Sequence, residues 1–240
     1  MAIVTIAEDE QALAEATAAR IATLIEEAIA ARGVAIWCLT GGRTPERLYR
    51  LLADASRPWR ARIDWTRVHV YWSDERHVPP DHPDSNYGMT ARALLDHVPI
   101  PAVQVHRIHG AHPDPDEAAR QYAGELPAAF DVMLLGVGED AHIASLFPGT
   151  PLPWSVRAAA VFVAHLHAWR ITLTPPIVLA ARTIVVLVAG AAKAAAIHAA
   201  LEGEDDVTMY PAQLLRRAVG RVECWLDRAA AGRLRDVPPA

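Results

Sequence analysis

A histidine at the end of a glycine-rich turn is the strongest candidate for acid–base chemistry in this chain. The run GVGEDAH, from Gly136 to His142, follows an apolar stretch typical of a buried strand. An imidazole with an ordinary pKa of about 6.5 suits proton transfer at neutral pH. We therefore predict that His142 is a general base facing a cleft, that Gly138 and Asp140 contact the ligand there, and that Asp140 caps a short helix. The alternative is a structural histidine.

A second group of polar residues follows another apolar strand. The run DER, from Asp74 to Arg76, begins one residue beyond the apolar strand Val68–Trp72, and Ser85 and Asn86 follow a short loop. If the backbone stays extended, Asp74 and Arg76 lie on the same side, because side chains alternate along a strand. We predict catalytic roles for Asp74 and Arg76 and ligand contacts for Ser85 and Asn86. A solvated, ion-paired loop is the alternative, with Ser85 or Asn86 only capping the next helix.

The loop Gly41-Gly42-Arg43-Thr44 has the composition of an anion site. Glycines allow a sharp turn and a close approach to a ligand, Thr44 is a good N-cap, and a proline follows at the first helical position. A helix start with free N–H groups beside an arginine binds phosphate or carboxylate well. The alternative is a plain strand-to-helix turn with its cap.

A long stretch without acidic residues carries further cations. From Ala141 to Leu201 the chain contains no Asp or Glu, yet it contains Arg170 and Lys193. Lys193 is the only lysine among 23 basic residues and follows a glycine where a helix is expected to begin. We predict that Arg170 and Lys193 contact an anionic substrate. Whether Lys193 is kept because only an ammonium group fits, or by chance, stays open.

Several other chemistries are disfavoured by spacing. Gly136, Gly138 and Ala141 match a dinucleotide fingerprint, but no acid follows about 20 residues later to bind a ribose, as that fold requires. No third ligand at a recognisable spacing accompanies His165 and His167 or the pair His77 and His82, so no metal is expected. The nucleophile elbow of serine hydrolases is absent. We expect neither an organic cofactor nor a metal.

The elements that must position these residues alternate between strand and helix, which is typical of an α/β fold with a mostly parallel sheet and helices on both faces. We expect one domain over residues 1–240. The predicted strands are Ala2–Ile6, Val34–Leu39, Val68–Trp72, Val103–Arg107, Phe130–Leu135, Ala160–Ala164, Arg170–Leu173, Thr183–Val188 and Val222–Trp225. The predicted helices are Asp9–Ala31, Pro45–Ala53, Tyr87–Leu95, Asp114–Leu126, Pro175–Ala181, Ala191–Leu201 and Pro211–Ala218. Ligands bind beyond the carboxyl ends of such strands.

Composition and charge indicate which partners and which cellular compartment to expect. A net charge of −5 argues against nucleic-acid binding, which usually needs a basic excess. The two cysteines, Cys38 and Cys224, cannot form a disulfide framework. The N-terminus lacks the basic region of a signal peptide. Lys193 and His198 interrupt the most apolar later stretch, which is therefore too polar for a membrane span. We expect a cytoplasmic protein that binds no membrane and is a monomer or a weak homo-oligomer.

Taken together, five motifs resemble the glucosamine-6-phosphate isomerase/6-phosphogluconolactonase family, and the 6-phosphogluconolactonases in particular. They occur in family order and span about residues 34 to 215. The motifs are GGRTP at 41–45, DERxVP at 74–79 with SNY at 85–87, GxGEDxHxASLFPG at 136–149, RxTLT at 170–174 and PAxLL at 211–215.

The resemblance implies a Rossmann-like α/β domain that hydrolyses 6-phospho-D-glucono-1,5-lactone to 6-phosphogluconate in the pentose phosphate pathway, without metal or cofactor. His142 would activate water, and its imidazolium would return a proton to the ring oxygen. Asp74 and Arg76 would orient water, substrate or His142, and Arg76 or turn amides would stabilise the oxyanion. The loop 41–44, Arg170 and Lys193 would hold the phosphate.

Two departures from the family pattern stand beside His142. The usual Gly before the histidine is Ala141, and the usual Thr after it is Ile143. If that glycine has a positive φ, Ala141 adds strain of about 1 kcal/mol or more or shifts His142. A catalytically impaired sugar-phosphate binder is therefore one alternative. An aminosugar-phosphate deaminase is another, although Phe147 stands at the position of its ring-opening glutamate.

Overall fold

The computed structural model describes residues 2–235, except for the side chain of His165. Ten strands are present in this range: β1 Ile3–Ala7, β2 Ala35–Leu39, β3 Val68–Trp72, β4 Asp74–Arg76, β5 Val105–His106, β6 Val132–Leu135, β7 Ala158–Val163, β8 Ala168–Leu173, β9 Thr183–Val188 and β10 Arg221–Asp227. The α-helices are α1 Glu10–Arg32, α2 Arg43–Ala53, α3 Pro58–Arg62, α4 Asn86–Ala93, α5 Pro115–Glu125, α6 Pro175–Leu179 and α7 Ala194–Glu202. Short 3-10 helices cover Trp65–Arg67, Leu95–His97, Ala102–Gln104, Ala164–Leu166, Ala191–Lys193 and Pro211–Arg217.

The main sheet is parallel throughout and has the order β1-β10-β9-β6-β2-β3-β5. All four residues of β6 and five of the six in β9 are buried, because both faces of the sheet are covered. The α/β fold class is therefore confirmed.

The strand order reverses between β2 and β6. After β2 the next strand of this sheet, β3, lies on one side, whereas after β6 the next strand of this sheet, β9, lies on the other side. The loops that leave these two neighbouring strands therefore diverge and open a crevice at the carboxyl edge. This is the position at which open α/β sheets bind ligands.

A second, antiparallel sheet of three strands has the order β4-β8-β7. Its register places Asp74 opposite Thr172 and Arg76 opposite Arg170. The extended backbone expected at Asp74 and Arg76 is thus present. However, β8 does not belong to the parallel sheet, so the loop after Leu173 does not reach the crevice, and Arg170 enters it from within the strand.

Several element boundaries differ from the predictions. The fourth predicted strand shrinks to Val105–His106 because a 3-10 turn occupies Ala102–Gln104. The helix predicted over Pro211–Ala218 is a 3-10 helix over Pro211–Arg217. The short helix Pro58–Arg62 was missed, since its five residues carry too little periodic pattern to be recognised.

Within residues 2–235, no helix combines the length and the apolar character needed to cross a membrane. Across the same range, the His, Cys, Asp and Glu side chains form no group of three or more with metal-binding geometry. Cys38 and Cys224 are both buried and unpaired with each other.

Helix α1 is tied to the sheet by a bidentate ion pair. Arg20 donates from Nε at 2.9 Å and from Nη2 at 2.7 Å to the carboxylate of Glu223, which is only 5% exposed. Burial tends to raise the pKa of Glu223, but hydrogen bonds and charge from Arg20 outweigh burial, and the net pKa is lowered. The ionised pair thus stabilises the fold.

We expect Arg20→Met to lower the free energy of unfolding by about 1–3 kcal/mol at pH 7. A lowered carboxyl pKa contributes stability above its unfolded value, about 4.3, and that stability is lost as the pH falls through the folded value. The difference between wild type and variant should therefore shrink below about pH 4, as measured by urea unfolding across pH.

The matched control is Arg62→Met, which removes an exposed partner of Glu26 on the same helix α1. It should change stability by less than about 1 kcal/mol. Equal losses in the two variants, or a difference for Arg20→Met that persists unchanged to pH 3, would contradict this role of the Arg20–Glu223 pair.

Candidate active site

A cavity of about 290 Å³ lies in the crevice between the loops after β2 and β6. Its walls come from residues 40–45, the turn 136–144, the end of β9 and the two facing strands β4 and β8. Eleven of the thirteen predicted site residues line it: Gly41, Gly42, Arg43, Thr44, Asp74, Arg76, Asn86, Gly138, His142, Arg170 and Lys193. Ser85 and Asp140 do not. The structure therefore brings most of the predicted site residues together at one edge of the sheet.

His142 is held by Asp140 through its Nδ1 atom. The distance from Nδ1 to Oδ1 is 2.6 Å, and the same oxygen accepts the His142 backbone N–H at 3.2 Å. Since the carboxylate can only accept, Nδ1 carries a proton, and in the neutral form of the ring Nε2 is the nitrogen with the free lone pair. The imidazole is 31% exposed and packs at 4.6 Å against the ring of Phe147. This tautomer is the one a general base requires.

Asp140 therefore orients His142 and caps no helix, so the predicted cap is wrong, whereas a ligand contact by Asp140 stays a prediction. Its two hydrogen bonds to His142 use the carboxylate, and no helix follows the turn. Partial burial works to raise the pKa of Asp140, but the charge and hydrogen bonds of His142 prevail and lower it. The carboxylate thus stays ionised at neutral pH.

Gly138 makes room for this pair. A Cβ atom built at Gly138 would lie 2.0 Å from His142 Nδ1 and 2.5 Å from Asp140 Oδ1. Neither atom can withdraw without breaking the Asp140–His142 contact. Glycine is therefore required by a close approach of side chains, and not by a ligand alone.

Ala141 has a left-handed backbone conformation, with φ of 65°. Its N–H donates to the Gly138 carbonyl at 3.0 Å, and its carbonyl accepts from Ala212 N–H at 2.9 Å. These contacts hold the turn although an alanine there costs about 1 kcal/mol or more relative to a glycine. The positive φ on which the expected strain depended is thus present.

We expect Ala141→Gly to leave stability within about 1 kcal/mol of wild type, because relief of strain is offset by the greater chain entropy of glycine when unfolded. Urea unfolding measures this difference. Ala144→Gly is the matched control, since Ala144 also has a positive φ, of 48°, in the same turn. A change of clearly more than about 1 kcal/mol for Ala141→Gly would contradict this balance.

Asp74 is buried and held from several sides. Its Oδ2 accepts from Ser145 Oγ at 2.7 Å and lies 3.7 Å from Arg170 Nη1. Its Oδ1 is 3.3 Å from both Ser73 Oγ and Asn86 Nδ2. Ser145 therefore orients Asp74, a role that no sequence spacing reveals because the two residues are 71 positions apart, one in the turn after β6 and the other on β4.

Arg76 and Arg170 face each other across β4 and β8. Like charges directly opposite in a sheet destabilise it. Burial is the main cause of a lowered Arg170 pKa, and the charge of Arg76 adds to it. The Nε atoms of both residues are buried without a hydrogen-bond partner in the described structure. An anion bound beside the guanidinium groups would offset this repulsion.

The loop after β2 leads into helix α2, whose first residue is Arg43 and whose N-cap is Gly42 with φ of 112°. Thr44 was predicted to be the cap, but it lies within the first turn instead. No side chain caps this helix, so its first N–H groups remain available at the cavity wall. A phosphate group suits such a helix start.

Lys193 reaches the cavity from the other side of the crevice. It ends the 3-10 turn after Gly190 and directly precedes α7. Neither Lys193 nor Arg43 forms an ion pair with another residue in the described range 2–235. Two cations without acidic partners therefore meet at one cavity.

Ser85 lies outside the cavity and caps α4, as the alternative for it proposed, and its ligand contact stays a prediction. Its Oγ accepts from Gly88 N–H at 3.0 Å and donates to Glu75 at 3.0 Å. Asn86 does line the cavity and contacts Asp74. Glu139, an exposed carboxylate at the cavity rim, was not singled out, because only its place in the motif distinguishes it from other surface acids.

The family model described as Glucosamine-6-phosphate isomerases/6-phosphogluconolactonase matches residues 8–224. This chain belongs to that family. The 6-phosphogluconolactonase of Synechocystis sp. is 39% identical over 238 residues, or 95% of this chain and 96% of the relative. That of Streptomyces coelicolor is 40% identical over 247 residues, or 94% and 92%. A crystal structure of a devB protein has a TM-score of 0.88 at 31% identity and covers 98% of this chain and 100% of that chain.

Membership in the Glucosamine-6-phosphate isomerases/6-phosphogluconolactonase family confirms the resemblance inferred from the five motifs. The match extends beyond them, from residue 8, just before α1, to residue 224 in β10. The family therefore accounts for nearly the whole α/β fold as well as for the crevice.

Proposed function

We propose that this chain hydrolyses 6-phospho-D-glucono-1,5-lactone to 6-phospho-D-gluconate in the oxidative pentose phosphate pathway. The observation that carries the proposal is the Asp140–His142 pair, which opens on a cavity lined by cations beside an uncapped helix start. The lactonases of Synechocystis and Streptomyces, similar along nearly the whole chain, support the choice of substrate. The buried free thiols suit a reducing cytoplasm.

His142 acts as the general base. Its Nε2 removes a proton from water as the water oxygen attacks the lactone carbonyl, and the carbonyl oxygen becomes an oxyanion. Asp140 stabilises the resulting imidazolium through Nδ1. When the intermediate collapses, the bond to the ring oxygen breaks, and that oxygen takes the proton from His142. The product acid then ionises to the carboxylate, so that one water has been added across the ester bond.

The remaining residues bind and orient. Arg76 or amides of the turn 136–142 stabilise the oxyanion, while Asp74, fixed by Ser145, orients water or substrate. The phosphate lies at the loop 41–44 with Lys193 and Arg170 as further cationic contacts. The small, polar cavity suits one sugar phosphate, and no cofactor or metal takes part in these steps.

The test is lactone hydrolysis by the wild-type chain, with the substrate generated in place and the uncatalysed rate subtracted. We expect turnover well above background. Hydrolysis no faster than background, together with retained binding of 6-phosphogluconate, would replace the enzyme by a sugar-phosphate binder, an alternative motivated by the strained Ala141. Release of ammonia from glucosamine 6-phosphate would instead indicate a deaminase.

A further inference from the structure

Glu75 is a buried carboxylate that takes no part in the proposed chemistry. It lies between Asp74 and Arg76 on β4. Because side chains alternate along a strand, its two neighbours face the cavity and Glu75 faces away from it. Only 2% of the residue is exposed. A charge in such a position requires a specific set of partners.

Four donors surround this carboxylate. Its Oε1 accepts from the backbone N–H groups of Asn86 at 2.7 Å and Arg76 at 2.8 Å. Its Oε2 accepts from Tyr87 N–H at 2.8 Å and from Ser85 Oγ at 3.0 Å. Burial raises the pKa of Glu75, and these four hydrogen bonds oppose that rise. The carboxylate therefore fixes the first turn of α4 against the strand that carries Asp74.

Asn86, the first residue of α4, extends this connection into the cavity. Its Nδ2 donates to the Asp74 carbonyl at 2.9 Å and lies 3.3 Å from the Asp74 carboxylate. Its amide also lies directly against Gly41, where an added Cβ would stand 1.8 Å from Asn86 Oδ1. Asn86 thus touches both a predicted catalytic group and the loop that leads into α2.

We propose that Glu75 is a positioning residue that, by anchoring Asn86, sets Asp74 and the Gly41 loop at their mutual distance. The inference rests on the proposed function, because that function gives Asp74 and the loop their roles. A shift of α4 would move the amide of Asn86 away from both at once. The chemical step should therefore become slower and phosphate binding weaker in the same variant.

The test is Glu75→Gln, which keeps the size of the side chain but places an NH₂ group against donors that need an acceptor. We expect kcat/KM for the lactone to fall about tenfold, with kcat lowered and KM raised. Binding of 6-phosphogluconate, measured by calorimetry, should weaken severalfold. Values of kcat and KM within twofold of wild type in the folded variant would overturn the proposal.

A double-mutant cycle separates positioning from general destabilisation. If Glu75 acts through Asn86, adding Glu75→Gln to Asn86→Ala should lower kcat/KM by less than twofold relative to Asn86→Ala alone. Multiplicative losses in the two variants would mean that Glu75 acts elsewhere, and the proposal would fail.

The matched control is Asp131→Asn, which alters another buried carboxylate that accepts a backbone N–H, from Ile36 at 2.9 Å, at the opposite end of the sheet. It should lower the melting temperature and leave kcat and KM unchanged.

If Glu75→Gln does not fold, Ser85→Ala removes one of the four donors. It should raise KM and lower kcat severalfold, whereas a change in melting temperature alone would refute the proposal. Were wild type inactive on the lactone, 6-phosphogluconate binding by the same variants would still test Glu75, so the two proposals fail separately.

Discussion

His142→Ala should lower kcat for lactone hydrolysis by about 10²–10⁴-fold while 6-phosphogluconate still binds within a few-fold of wild type. The reason is that Nε2 of His142 is the only base placed at the cavity by an orienting carboxylate, Asp140 at 2.6 Å from Nδ1, among the residues described. The change removes the proton acceptor but none of the cations of the cavity. Steady-state kinetics and calorimetry measure the two effects.

Asp140→Asn is the companion variant. An asparagine can present its NH₂ group to Nδ1 and so favour the wrong tautomer, with the proton on Nε2, which lowers kcat although the ring stays in place. His198→Ala is the matched control, since His198 also pairs with a carboxylate, Glu202, but on the surface of α7 away from the cavity. Full turnover by His142→Ala would disprove its role as the base.

The pairing of the small sheet marks one limit of what the sequence predicts. The strands of the main sheet can be predicted from their apolar composition, and the crevice can be predicted from the position of their carboxyl ends. The strand Asp74–Arg76 is only three charged residues long, and its partner Arg170–Thr172 lies nearly a hundred residues later. No local pattern encodes such a pairing, so the opposition of Arg76 and Arg170 emerges only in the structure.

The turn around His142 marks a second limit. An aspartate two residues before a histidine has the same local sequence whether it caps a helix or accepts from the imidazole, and here it accepts from the imidazole. The backbone at Ala141 has a positive φ, which the alanine alone does not indicate and only the glycine usual in the family suggested. Likewise, Thr44 and Pro45 favour a later helix start than the one that Gly42 sets.

Lys193→Ala should raise KM for the phosphorylated lactone about 10- to 100-fold with a small change in kcat. A hydrogen bond to a charged group contributes about 1.5–3 kcal/mol, and each 1.4 kcal/mol is a tenfold change in binding. Lys193 lines the cavity opposite the loop 41–44 and has no acidic partner in the described structure. Its ammonium is therefore available to a phosphate at that site.

The substrate without its phosphate separates this role from a general effect. Turnover of D-glucono-1,5-lactone, however slow, should be unchanged in Lys193→Ala, so that the preference for the phosphorylated lactone falls by the same factor as KM rises. Arg67→Ala, which removes an exposed cation before β3, controls for net charge and should leave both values unchanged. Lys193→Arg keeps the charge but replaces a compact ammonium with a planar fork. If it restores KM fully, charge alone holds the phosphate. If it does not, the only lysine of the chain is kept for its shape.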